Sequence, residues 1–187
     1  MAETSLSKRE ESVAISSPQQ VLEFSNQLKQ IIVDKKLYSP IRGKNFVNVE
    51  GWQIAGMSCG IYPVVSELVN LSNETEIKYQ ATVVLYRMSD GAIMGRGIAL
   101  CSNKERTKKS FEEYAIASMA QTRAVGKAYR TVLGYIMKMA GYETTPAEEM
   151  EEVKEPVQTA DMSDFYGGKP AQPMREVASV NAQAENI

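Results

Sequence analysis

Apolar residues recur at helical spacing through 18–33, where Val21, Leu22, Phe24, Leu28, Ile31 and Ile32 follow a 3.6-residue period. Ser17 before Pro18 supplies an N-cap with proline in the first turn, so the pattern predicts an amphipathic helix beginning there. The stretch 34–44 (DKKLYSPIRGK) reads as a basic, turn-rich connection leading to a short strand over 46–49 and a compact helix over 51–59. The period then drops to two. Three β-rich runs, 61–71, 77–88 and 93–101, are punctuated by Ser-Asn-Glu-Thr and Ser-Asp-Gly, which predicts an antiparallel meander. Pro63 stands near the start of its strand, where a missing donor is tolerated. A last helical pattern covers 111–140, with Ser110 and Glu113 as a capping box and Gly141 as C-cap. The expected fold class is α+β: a three- to four-stranded antiparallel meander packed on one long C-terminal helix, with a further helix at the N-terminus.

The edges of this pattern set the expected organisation. Residues 1–17 are polar and lack aromatics, as in a flexible arm. Residues 18–144 form the folded domain. Residues 145–187 are acidic and Pro-punctuated, then rich in Ala, Gln, Pro, Ser and Asn, and are expected to be disordered.

At 100° per residue, Tyr114, Ala117, Ala124, Val125, Ala128, Val132, Tyr135, Ile136 and Met139 gather on one side of the long helix, the expected core face. Arg123, Lys127, Arg130 and Lys138 lie within about 80° of one another on the opposite side. Lys104, Arg106, Lys108 and Lys109 in the preceding loop extend this basic stripe. A solvated helix face interleaves both signs, yet no acidic residue occurs between Tyr114 and Gly141. Ile116, Met119 and Met137 lie among the basic residues, suggesting a face that packs on something. Gly126 and Gly134 each cost a helix about 1 kcal/mol relative to alanine, which suggests close approach of backbone or phosphate, or tight helix–sheet packing.

Charge sharpens the picture. The overall balance of −2 hides 18 basic against 13 acidic residues in 1–141 and 3 against 10 in 142–187. The chain has no histidine, which removes imidazole base catalysis and Ser-His or Cys-His pairs and leaves few transition-metal ligands. Its two cysteines, Cys59 and Cys101, lack zinc-site spacing and read as free thiols. The carboxylates Glu50, Glu67, Glu74, Glu76 and Asp90 are scattered in sequence, which argues against a Mg²⁺ nuclease. No secretory leader or membrane span is expected, so the chain reads as cytoplasmic, with neither enzyme activity nor cofactor.

Three stretches resemble the single-strand annealing proteins of the Rad fifty-two superfamily, including the phage Sak and Erf kinds. FVNVEGWQIAGMSCGI (46–61) is similar to the strand and short helix that open that family's core, VVLYRMSDGAIMGRGIAL (83–100) to its central hairpin, and SMAQTRAVGKAYRTVLGY (118–135) to its long helix. The resemblance implies a β-β-β-α core that assembles into rings, with single-stranded DNA in a basic groove. It places Lys127 and Arg130 against the DNA backbone, and Arg106, Lys108 and Lys109 at a second DNA surface. Where the family often has a basic residue near the start of the short helix, this chain has Gln53.

The expectation is therefore a homo-oligomeric protein that binds single-stranded DNA and anneals complementary strands, with DNA contacts from Arg123, Lys127, Arg130, Lys138, Lys104, Arg106, Lys108 and Lys109. Trp52, Tyr62, Tyr79 and Tyr86 are candidate stacking platforms, although strand aromatics more often belong to the core. The alternative is an assembly protein whose basic helix face binds an acidic partner. The acidic tail could compete with DNA or hold a protein partner through Asp161, Asp164, Phe165 and Tyr166, or simply be a solubilising segment.

Overall fold

The computed structural model describes residues 17–150. The expected arm up to residue 16 and the tail beyond residue 150 lie outside the described residues.

The chain begins with α1 (Pro18–Asp34), whose N-terminus is closed by a reciprocal capping box: Ser17 accepts from the Gln20 N–H, and the Gln20 side chain accepts from the Ser17 N–H. Strands β1 (Tyr38–Ile41) and β2 (Lys44–Val47) follow, then α2 (Val49–Ser58). The connection expected at 34–44 is thus partly a strand. Its hairpin turns on Arg42 and Gly43, whose φ values of +52° and +73° are the two positive angles a tight hairpin with matching twist requires. An arginine in that position hides the turn from the usual Asn-Gly signal.

Strands β3 (Ile61–Asn70), β4 (Lys78–Arg87) and β5 (Ile93–Ser102) form the expected antiparallel meander, in the order β3-β4-β5. Register runs from Ile61↔Arg87 to Asn70↔Tyr79 on one side of β4 and from Lys78↔Ser102 to Tyr86↔Ile93 on the other. Alternation sends Ala81, Val83 and Leu85 of β4, with Gly97, Ala99 and Cys101 of β5, to one buried face. That face meets α3 (Glu113–Met139). The closest approach is at Gly97, where a Cβ would fall 2.4 Å from both the Ala124 carbonyl oxygen and the Ala128 nitrogen. Backbone therefore lies almost on backbone there, and only glycine fits.

The α+β class holds, and the long helix is its centre. α1, α2 and the short α4 (Ala147–Met150) pack around α3 on sides the sheet leaves open. This overturns the expected division into two faces. Tyr114, Tyr135 and Met139, placed in the core by periodicity, are exposed, with Tyr114 at 78%. Ile116 and Met137, placed among the basic residues, are fully buried. The helix starts without the Ser110–Glu113 box: its N-cap is Glu112, which makes no side-chain cap, and Glu113 instead accepts from the Tyr79 hydroxyl. Its C-terminus ends as expected. Gly141, at φ +89°, donates to the Lys138 carbonyl and Tyr142 to that of Met137, the paired bonds of a left-handed C-terminal cap.

Order also extends past Thr144. Glu143 donates its N–H to Asn45 and bridges Phe46, Tyr142 packs 5.9 Å from the Tyr38 ring, and Pro146 and Ala147 are buried. The segment reads as solvated in sequence because it is acidic and proline-bearing, but its charges meet basic partners on the fold.

Candidate nucleic-acid interface

The eight basic residues expected to form one surface are distributed over three environments. Arg123 leaves the surface altogether, at 7% exposure. Its Nη1 lies 2.8 and 2.9 Å from the two carboxylate oxygens of Glu105 and donates to the Leu100 carbonyl at 3.2 Å, while Nε donates to the Glu148 carbonyl at 3.2 Å. One guanidinium therefore joins the end of β5, the loop after it and the C-terminal segment. Burial of an arginine requires such partners, because an uncompensated charge in the interior is prohibitively costly. Lys108, at 4% exposure, is likewise internal, its ammonium 4.7 Å from the centre of the Phe111 ring.

The loop 103–110 is correspondingly compact. Glu105 accepts from the Ser102 N–H, and the Ser102 hydroxyl donates to Glu76 at 2.6 Å. That hydrogen bond, helped by Lys78 and Lys104, holds the Glu76 carboxyl below its ordinary pKa. Lys104 is 3.9 Å from Glu76 and keeps most of its side chain in solvent. Arg106 and Lys109 are exposed.

Lys127 and Arg130 form the second environment. Both are half-exposed on α3, and both face the carboxylate of Glu149, at 3.8 and 3.6 Å respectively. Lys138, in the last turn of α3, is exposed. The acids absent from the helix after Glu113 are thus supplied from outside it, by Glu105 and Glu149. Gly126 does mark a close approach, but of the Pro146 side chain rather than of another backbone, a phosphate or the sheet. A Cβ there would lie 2.8 Å from Pro146, so the C-terminal segment rests directly on the helix backbone. Glu148 completes the attachment by accepting from the Val49 N–H at 2.9 Å, taking the capping role at α2 that the Asn48 side chain does not perform.

Sequence reading singled out neither Glu148 nor Glu149. The available signal was an acid-free basic helix followed, a few residues past its end, by a run of acids.

The aromatic candidates divide similarly. Trp52 is fully buried and donates Nε1–H to the Val47 carbonyl at 3.2 Å, so it is core. Tyr79 is tied to Glu113, which raises its pKa. Tyr62 and Tyr86 stack 5.8 Å apart as cross-strand partners on the sheet face away from α3. That outer face also carries Val64, Ile98 and Leu100, and both β3 and β5 are edge strands of ten residues.

Burial pushes the Cys59 thiol up to about 11 and the Tyr129 phenol up to about 12, so both stay protonated at neutral pH. Among the described residues, no group of three His, Cys, Asp or Glu is placed to hold a metal ion, and no helix is long and apolar enough to cross a membrane. No known family model matches the chain, and no curated protein matches it.

Proposed function

We propose that this chain is a single-stranded DNA-binding protein of the Rad fifty-two annealing type, which pairs complementary strands as a homo-oligomeric ring or filament. The observation that carries the reading is the Lys127–Arg130 pair, two half-exposed cations on a helix that carries no acid after Glu113 in its first turn. Arg106, Lys109, Lys104 and Lys138 supply further exposed positive charge on the loop and the end of the helix. Phosphate neutralisation by such groups gives affinity without sequence preference, and annealing needs only that base edges stay open to a second strand. Two long edge strands and an apolar outer sheet face support assembly of copies. Arg123 and Lys108 drop out of the proposed contact set because their charges are turned inward.

Purified protein is expected to bind an oligothymidylate and to accelerate annealing of complementary oligonucleotides. Affinity should fall steeply with salt, and Lys127→Ala and Arg130→Ala should each reduce the salt slope by about 0.7. A folded chain that leaves the annealing rate unchanged sinks the reading. One observation favours the alternative, an acidic protein partner: a carboxylate, that of Glu149, already occupies the space between the two cations. Absence of any single-stranded DNA binding by folded protein, together with salt-sensitive capture of an acidic peptide dependent on Lys127, would select it.

A further inference from the structure

We infer that residues 144–150 form a displaceable strap, with Glu149 holding the place of a phosphate between Lys127 and Arg130, so that single-stranded DNA enters only by lifting it. This rests on the reading above that these two cations bind the DNA backbone.

The strap is held by a few separate attachments. Pro146 sits on Gly126, the backbone carbonyl of Glu148 accepts from Arg123, the Glu148 side chain caps α2, and the Glu149 carboxylate faces the two cations. The last attachment covers the proposed binding site, and it is the weakest by geometry. Separations of 3.8 and 3.6 Å are beyond hydrogen-bond distance, and both cations are 40–45% exposed, where screening leaves an ion pair little net stability. The other carboxylate oxygen of Glu149 is buried without a hydrogen-bond partner. A buried, unpaired carboxylate oxygen is unfavourable, so leaving the site returns that oxygen to water. A DNA phosphate brings the same charge with more freedom to approach both cations closely. The helix below the strap has glycines at 126 and 134: Pro146 is buried against the first, while a Cβ at 134 would meet Thr144 at an ordinary 3.8 Å, so the strap is seated at Pro146 and Ala147 and lies more loosely to either side.

The test measures anisotropy of a fluorescein-labelled oligothymidylate with the full-length chain, its Glu149→Gln variant and the Lys127→Ala/Arg130→Ala double variant. Hydrogen exchange of the peptide spanning 144–150 is followed with and without the oligonucleotide. Glu149→Gln is expected to tighten binding about three- to tenfold and to steepen its salt dependence, since the wild-type strap must first give up ion pairs that salt itself weakens, which offsets part of the salt effect on DNA. DNA should raise exchange in 144–150. If wild-type protein binds DNA and the double variant weakens it, but Glu149→Gln changes neither affinity nor slope and the strap amides stay protected, the strap is overturned while the binding reading stands. If no form of the folded chain binds the oligonucleotide, the function reading fails and the strap with it. The exchange measurement uses wild-type protein and decides the matter even if Glu149→Gln does not fold.

Discussion

Arg123, Lys127 and Arg130 look alike in sequence: three cations at i, i+4 and i+7 on one helix. Their fates differ because of what each meets. Arg123 meets Glu105 and two backbone carbonyls and becomes an internal fastener, whereas Lys127 and Arg130 face the Glu149 carboxylate at longer range and keep much of their side chains in solvent. No local rule separates them, since the deciding partners lie 18 and 25 residues away for Arg123. Replacing Arg123 with alanine removes a charge that the part-buried Glu105 carboxylate faces and leaves the Leu100 and Glu148 carbonyls without this donor, and the variant is expected to lose about 3 kcal/mol of stability. Lysine should not restore it, because a single ammonium cannot reproduce a fork that serves three acceptors. Urea unfolding followed by circular dichroism reads both, and a loss below about 1 kcal/mol for the alanine variant would contradict the fastening role.

At the level of elements, the meander and both main helices were legible, because long runs of period 2 or 3.6 dominate their sequences. The orientation of α3 was not. A helix contacted by a sheet, two helices and the C-terminal segment carries no single apolar stripe, so assigning one core face put Tyr114 inside and Met137 outside, the reverse of what is found. The β1–β2 hairpin escaped notice through its Arg-Gly turn, and the strap through a composition that resembles a solvated tail. Where helix meets sheet, the fit is set by backbone rather than side chains. Gly97→Ala would drive a methyl into the Ala124 carbonyl and the Ala128 nitrogen, neither of which can rotate away. The variant is expected to lose about 3 kcal/mol or to misfold, by thermal melting. Melting within a degree of wild type would show that α3 can shift freely on β5.

At the scale of the molecule, the outer face of the sheet carries an open apolar patch among the described residues, with Ile98 at 55% exposure and Val64 and Leu100 also open. Such a patch beside unpaired strand edges suits association with further copies. Ile98→Glu is expected to shift mass-photometry distributions of the purified chain toward monomer without lowering its melting temperature. A wild-type chain that is already monomeric, with and without DNA, would end the oligomer reading.

The three-way attachment of Arg123 carries a thermodynamic corollary. The same guanidinium grips Glu105 in the loop and the Glu148 carbonyl in the C-terminal segment, so the free energies of opening these two regions cannot be independent. If DNA lifts one, it loosens the other, and by reciprocity a ligand that binds Arg106 or Lys109 more tightly in the loosened loop lowers the work of exposing Lys127 and Arg130. Two basic regions on different elements would then respond to a strand as a single cooperative unit, with its threshold set by one buried side chain.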